Sequence, residues 1–506
     1  MSFNLVRESW IPVVNRDGQR YEVSLVELFE TWENLREIQA DNPPTTLAIH
    51  RFLLAILHRA YQGPCNVDHW EEIQQDNGIK AIDYLQAQVD LFDLLHPEQP
   101  FMQDASIKAD AAGEVYLAAV LHGNNTSTVF CHEHQWSNSS LSLAEAARLV
   151  LRLHMFDGGG RKTGATDSAA VIPTMDAANV LIRGQNLQET LLLNLMEYDP
   201  DRECPCPVIS EDLPTWEYPL AKPKERIPAG YINYLSYQWR RVKIFAEGGR
   251  VLQIAVHPGD RFPKTVSANQ YECGIAYKDT KKGWLPIRLN LQKSLWRDSA
   301  AFLQSSEGAA NCPRIVGWRS ELKSEDLVSG MIHLQILGLT VDNAKPLGWT
   351  SEQFSAPVEY LRNQGLWQKL NLAIGITEDH QQIFRSFRGS PYAALADSLK
   401  NGDAQALAKN LDGESRYWAT LDRKFQLLIR DLPIHGAAEL PKWTGLVQKA
   451  AREAFMESIE SIRNYEARAT ALRTLEWKLA DLRMEPEEKA QKKAKAAAKK
   501  KEKVAK

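Results

Sequence analysis

The hydrophobic period of this 506-residue chain changes once, near residue 360, and that change limits what it can fold into. Before it, strand-like alternation runs through residues 251–256, 285–291 and 331–339, broken by Gly and Pro turns. Helical patterns are interleaved with these strands. Asn42-Pro43-Pro44-Thr45 gives a capped start to a stripe of Ile49, Phe52, Leu53, Ile56 and Ala60. Ser142 and Glu145 form a capping box ahead of Ala146, Leu149, Leu151 and Leu153, and another helix is predicted over residues 188–196. Beyond residue 360 the strands vanish. Four long helical stretches follow, separated by Gly389-Ser390-Pro391, Asn401-Gly402-Asp403, Leu432-Pro433 and similar breaks. Tyr417, Leu421, Phe425 and Leu428 line one face, Phe455, Ile459 and Ile462 another, and Leu472, Leu475, Leu479 and Leu482 a third. Antiparallel amphipathic helices bury such stripes together. The expected fold class is therefore α+β: an irregular mixed N-terminal domain over residues 1–360, then an all-α four-helix bundle over 361–485. A Lys/Ala-rich tail, 486–506, has no apolar face and is expected to be disordered.

Charge narrows the function. The formal net charge of -4 hides an asymmetry: residues 487–506 hold nine lysines against Glu487, Glu488 and Glu502, leaving that segment at +6 and the rest of the chain at -10. A protein coating nucleic acid over a wide face needs a basic surface, so any contact is expected to be small and local, with partner subunits supplying most of the positive field. The six cysteines, Cys65, Cys131, Cys204, Cys206, Cys273 and Cys312, are too sparse and irregular for a disulfide framework and fit reduced thiols in a cytoplasm. The first eight residues hold no apolar signal core and the run 52–57 is far short of a membrane span, so a cytoplasmic location without membrane contact is expected.

The chain lacks a Gly-x-Ser-x-Gly elbow, a His-Glu-x-x-His helix and any paired His-Asp metal signature, so neither catalytic residues nor a cofactor are expected. Cys131-His132-Glu133-His134, completed by Cys204-Pro205-Cys206 or Cys273, offers zinc-type ligands. Cys-Pro-Cys is poor chelate spacing, however, and no second Cys-x-x-Cys exists, so the expectation is no metal. The most unusual local sequence is Phe156-Asp157-Gly158-Gly159-Gly160-Arg161-Lys162-Thr163-Gly164. Ordering three glycines is entropically costly, which implies positive φ or very close backbone approach in a segment that is not regular structure. A loop touching a groove or phosphates meets that need, with Arg161 and Lys162 adding charge. It differs from a nucleotide-binding P-loop because Lys162-Thr163 precedes the final Gly. Standing alone, the motif reads more simply as a solvent loop.

It does not stand alone. The opening Phe3-Asn4-Leu5-Val6-Arg7-Glu8-Ser9-Trp10-Ile11-Pro12-Val13 is similar to the start of CasA chains, the large subunits of type I-E Cascade CRISPR complexes. His96-Pro97-Glu98-Gln99-Pro100-Phe101-Met102-Gln103, the glycine loop, Leu181-Ile182-Arg183-Gly184, Ser294-Leu295-Trp296-Arg297-Asp298 and Gly338-Leu339-Thr340-Val341-Asp342-Asn343-Ala344-Lys345 follow in that family's order. The resemblance implies a non-catalytic subunit at the 5′ end of the CRISPR RNA. It would inspect double-stranded target DNA for a protospacer-adjacent motif (PAM) from the minor groove and open it for R-loop formation, leaving cleavage to a recruited helicase-nuclease.

Carried over by position, the backbone of Gly158, Gly159 and Gly160 would approach the motif. Asn343 falls where many relatives place a Gln wedge, flanked by Asp342, Ala344 and Lys345 in what is otherwise a polar turn. Lys281 or Lys282 occupies the region of a groove-reading lysine, the alternative being a solvated hairpin turn. Phe130 resembles an aromatic that reaches the RNA handle and neighbouring subunits, the alternative being a core residue. Expected partners are crRNA, double-stranded target DNA, the other Cascade subunits and the helicase-nuclease. The rival readings are a scaffold subunit without DNA contact and a metal-dependent nucleic-acid enzyme using the glycine loop with His132 or His134.

Overall fold

The structure, a computed structural model, describes residues 2–114, 140–162, 168–280, 283–290, 294–303, 313–324, 330–342, 345–399 and 402–483. Phe130, Cys131 to His134, Lys281, Lys282, Cys312, Asn343, Ala344 and the tail 486–506 lie outside the described residues. The chain is a mixture of helices and sheets, and it divides into two compact units, Met1–Arg362 and Asn363–Lys506.

The first unit is organised around the helix Pro43–Tyr61. Asn42 Oδ1 accepts from the Thr45 amide at 3.0 Å, and Pro43 fills the first turn, where its missing N–H costs nothing. Nearly every side chain of this helix is buried, so it runs through the core rather than over it. Phe52 meets Phe101 and Trp216, each with ring centroids 5.4 Å away, and Trp10 at 6.1 Å. Each such aromatic contact adds about 0.5–1.5 kcal/mol beyond area burial, so this cluster ties the amino-terminal strands to the helix.

Among the described residues the first unit holds three antiparallel sheets of three or more strands. Ile11–Asn15 lies between Arg20–Val23 and Leu35–Ile38. Arg250–Pro258 pairs with Arg240–Glu247 and with the short segments Gly113–Glu114 and Leu141–Ser142. Met331–Asp342 lies between Lys345–Pro357 and Asn179–Arg183. Two further hairpins stand apart, Tyr277–Thr280 with Gly283–Pro286 and Gly160–Arg161 with Ser168–Ala169. The alternation predicted over 331–339 is a strand. The one expected over 285–291 stops at Pro286, because Ile287 leaves the hairpin to bond Ala276 and Ala178.

The second unit holds six α-helices among the described residues: Gln364–Gln381, Pro391–Ser398, Ala404–Asn410, Gly413–His435, Glu439–Ser458 and Tyr465–Arg483. Gly413–His435 packs on Glu439–Ser458, and Gln364–Gln381 covers both. Trp443 fixes one crossing, its Nε1 donating to Ala373 O at 3.1 Å and Thr377 Oγ1 at 3.2 Å. Tyr417 donates to Thr377 O at 2.7 Å from the other side. The break expected at Leu432-Pro433 is absent: Pro433 lies inside its helix, which ends at Gly436 with φ 59°. The buried stripe from Tyr417 through Leu432 continues to the last turn, and burial of each such side chain contributes about 1.5–3 kcal/mol, enough to offset the backbone bond a late proline removes.

Candidate nucleic-acid interface

The helix Leu143–Phe156 delivers the glycine loop. Its start is the capping box read from sequence: Ser142 Oγ accepts from the Glu145 amide at 3.2 Å and Glu145 Oε2 accepts from the Ser142 amide at 2.7 Å. Its end is Asp157, in extended backbone at φ -103°. Beneath the turn lies Arg240, 0% exposed. Its Nε donates to Asp157 Oδ2 at 2.5 Å and its Nη2 reaches the carbonyls of Asp157 at 2.7 Å, Gly158 at 3.1 Å and Ala170 at 2.9 Å. One guanidinium therefore clasps both arms of the loop, a geometry that an ammonium cannot reproduce.

Two expectations change here. Gly160 and Arg161 form a short ladder with Ala169 and Ser168, so part of the segment is regular structure. Gly158 and Gly159 do not take positive φ. Close approach is nonetheless real: a Cβ on Gly159 would lie 3.1 Å from Val171 Cγ2 and 3.3 Å from Ala169 O and Val171 N. A side chain at this position would press on the loop's own returning arm, which would have to give by a few tenths of an ångström. Lys162 also differs from the sequence reading. Its Nζ sits 2.5 Å from Asp157 Oδ2, the oxygen that Arg240 uses, and burial lowers its pKa while Asp157 opposes that shift. Its charge is largely consumed within the loop.

The segment 174–180 connects this loop to the two hairpins singled out by sequence. Thr174 Oγ1 donates to Met155 O at 2.6 Å, holding the end of the helix. Asn179 Nδ2 donates to Thr174 O at 3.0 Å, Ala177 O at 2.9 Å and Leu337 O at 3.4 Å, the last on the long hairpin. The Ala178 amide bonds Ile287 O at 2.8 Å and Val180 bonds Gly274 O at 2.7 Å, on either side of the shorter hairpin. Gly338 marks the crossing, since a Cβ there would fall 2.6 Å from both Ala177 O and Leu289 Cδ1. Glu272 adds a further anchor. It is 4% exposed and accepts from Arg51 Nη1 at 2.7 Å and Tyr234 Oη at 2.9 Å.

The shorter hairpin closes at the pair Thr280 and Gly283, so the described ladder stops on either side of Lys281 and Lys282. The longer closes at Asp342 and Lys345, flanking Asn343 and Ala344, with a register shift between Thr340 and Val341 that adds local twist. The structure thus roots the glycine loop and both hairpins in one hydrogen-bonded node. It does not describe the four residues between the closing pairs, nor Phe130. Sequence reasoning missed Arg240, Thr174, Asn179 and Glu272, all buried polar groups. Among the described residues no three His, Cys, Asp or Glu side chains are grouped to hold a metal ion. Burial pushes the Cys204 thiol up to about 12, and Cys206 and Cys273 also upward.

Comparison with known proteins bears on this arrangement. Residues 4–454 match the family described as CRISPR-associated protein Cse1. The CRISPR-associated protein CasA/Cse1 of Thermus thermophilus is 31% identical over 481 residues, covering 90% of this chain and 91% of that protein. The solved structure of Thermus thermophilus CasA (Cse1) superposes with a TM-score of 0.77 at 26% identity, over 95% of this chain and 98% of that one. Thermobifida fusca Cse1 shares the fold with a TM-score of 0.77 at 24% identity, over 95% and 97%. So does a chain of a CRISPR RNA-guided surveillance complex, with a TM-score of 0.76 at 20% identity, over 94% and 99%. A match of this extent in sequence and fold has one consequence: the chain belongs to the CasA/Cse1 family of CRISPR-associated proteins.

Proposed function

We propose that the chain is the non-catalytic large subunit of a type I-E Cascade complex, working in the cytoplasm with crRNA, the other Cascade subunits and a recruited helicase-nuclease. It recognises the PAM of duplex DNA from the minor groove and starts unwinding toward an R-loop. The carboxy-terminal helices, read as a four-helix bundle of the long helices with two short ones added, serve as a packing surface for neighbouring subunits. What supports this reading most is the node at 174–180, from which the glycine loop and both hairpins spring. A reader that distorts DNA must hold several probes in fixed relation, because unstacking costs a few kcal/mol per base step and loose probes would yield before the duplex does.

Within this reading, the backbone of Gly158 to Gly160 approaches the groove, Lys281 or Lys282 meets base-edge acceptors or phosphate, and the turn Asp342 to Lys345 carries the Asn343 wedge. Asn is shorter than the Gln of many relatives, so either the wedge is less deep or the hairpin sits closer to the groove. Phe130 stacks on the RNA handle.

The test is a gel shift of the assembled complex on PAM-bearing duplex, with and without Gly159→Asp. The expected result is loss of duplex recognition with assembly intact. Normal duplex binding by the variant would sink the loop assignment, and a complex lacking this chain that still opens duplex at normal affinity would sink the function.

A further inference from the structure

Neighbouring residues of a strand face opposite ways, and Arg240–Glu247 uses this at its first two positions. Arg240 turns to the glycine loop, whereas Arg241 lines a cavity of about 360 Å3 on the other side. The base of that cavity is charged and fixed. Arg241 is 4% exposed; its guanidinium meets Gln238 Oε1, Ala221 O at 2.8 Å and Asp260 Oδ1 at 3.4 Å, and its Nε has no partner. Arg226 donates to Asp260 Oδ2 at 2.6 Å and Asn233 Oδ1 at 2.8 Å, and lies 4.3 Å from the Tyr237 ring centroid. One carboxylate therefore serves two guanidinium groups. Lys222 and Lys224 also line the cavity; both are exposed, and neither is in an ion pair among the described residues. The walls are apolar, and Tyr218, Leu220 and Ile227 remain 37%, 44% and 36% exposed.

An apolar pocket with a few placed charges selects a ligand that combines both characters. A nucleic-acid strand is the poorer fit, since it needs an extended cationic track and repeated stacking faces. Tyr218 is the one such ring on the walls, and with Arg226 and Arg241 already sharing Asp260 the remaining cations, Lys222 and Lys224, make no extended track. We propose that this cavity docks an acidic peptide segment of a partner protein. An apolar side chain of leucine size enters beside Leu220 and Ile227, and flanking carboxylates meet Lys222 and Lys224.

Fluorescence anisotropy of the full chain with a labelled Asp-Glu-Leu-Asp-Glu peptide tests this. Saturable binding is expected, weakened about tenfold or more by Lys222→Glu with Lys224→Glu and by Ile227→Asp, exposed positions whose variants should keep the parent unfolding midpoint. Replacing the peptide's leucine with serine should weaken binding comparably. The proposal is overturned by absence of saturable binding, by equal affinity for the serine peptide, or by unchanged affinity in both variants. An oligothymidylate of equal charge that competes as strongly as the peptide would assign the cavity to nucleic acid and overturn it too.

Discussion

Replacing Arg240 with Gln isolates what holds the glycine loop. The guanidinium satisfies one carboxylate oxygen and the carbonyls of Asp157, Gly158 and Ala170 from a position with no solvent contact. Removing one partner of a buried ion pair typically costs about 3–5 kcal/mol, because the remaining groups stay desolvated. The loop has a cheaper escape, which is to open and let water satisfy those carbonyls. The loss should therefore appear as local opening more than global unfolding. Hydrogen exchange reads this directly: the amides bonded in the ladder of Gly160–Arg161 with Ser168–Ala169 are expected to lose roughly a hundredfold or more in protection, since about 3 kcal/mol is a little over two decades. Amides in the helix Pro43–Tyr61 should stay within a few-fold of the parent. Arg240→Lys keeps the charge but cannot span both arms, so it should recover only a minor part. Unchanged protection in that ladder in Arg240→Gln would refute the claim that this arginine sets the loop's shape.

Asn343→Ala should slow strand opening more than initial docking on duplex; an equal defect on a pre-melted target would count against the wedge. Deleting residues 487–506 should lower non-specific DNA affinity and flatten its dependence on salt, and an unchanged slope in salt titrations would show the tail idle. Acid should destabilise the first unit through three buried histidines. His50, His58 and His154 are held neutral chiefly by burial, with pKa values of about 4, about 3 and about 4. Folded values depressed below the unfolded ~6.5 mean stability that is present above pH 6.5 and lost as pH falls toward 4. Near pH 5 the unfolded chain binds nearly three more protons, a slope of about 4 kcal/mol per pH unit, which denaturant midpoints at pH 7 and 5.5 would detect or exclude.

Features that depend on residues three or four apart were legible in the sequence. The Asn42 cap and the Ser142–Glu145 box each involve partners within one helical turn, and both are present as read. The strand over 331–339 was legible because its period is local, although the ladder that sets its length pairs it with residues up to 357. Pro433 was misread for the complementary reason: propensity is a local term, and the buried face that overrides it belongs to other helices.

The site was legible in a narrower sense. Three consecutive glycines announced a close approach, but what they approach is the arm at 169–171, which no spacing rule could name. Arg240 stands beside Arg241 in the chain, 83 residues from Asp157, and Asn179 reaches Leu337 across 158. Neither carries a mark that separates it from an ordinary surface polar residue. Their roles exist only because a buried donor must find an acceptor or lose about 1–3 kcal/mol, and in a segment like 174–180 the available acceptors belong to whatever elements the fold brings there. The residues that contact a ligand can be shared through a family's sequence pattern, whereas the residues that hold those contacts rigid are chosen by tertiary geometry. On the proposed reading, in which the chain deforms DNA, that second group decides whether the force reaches the duplex or is lost in its own loops.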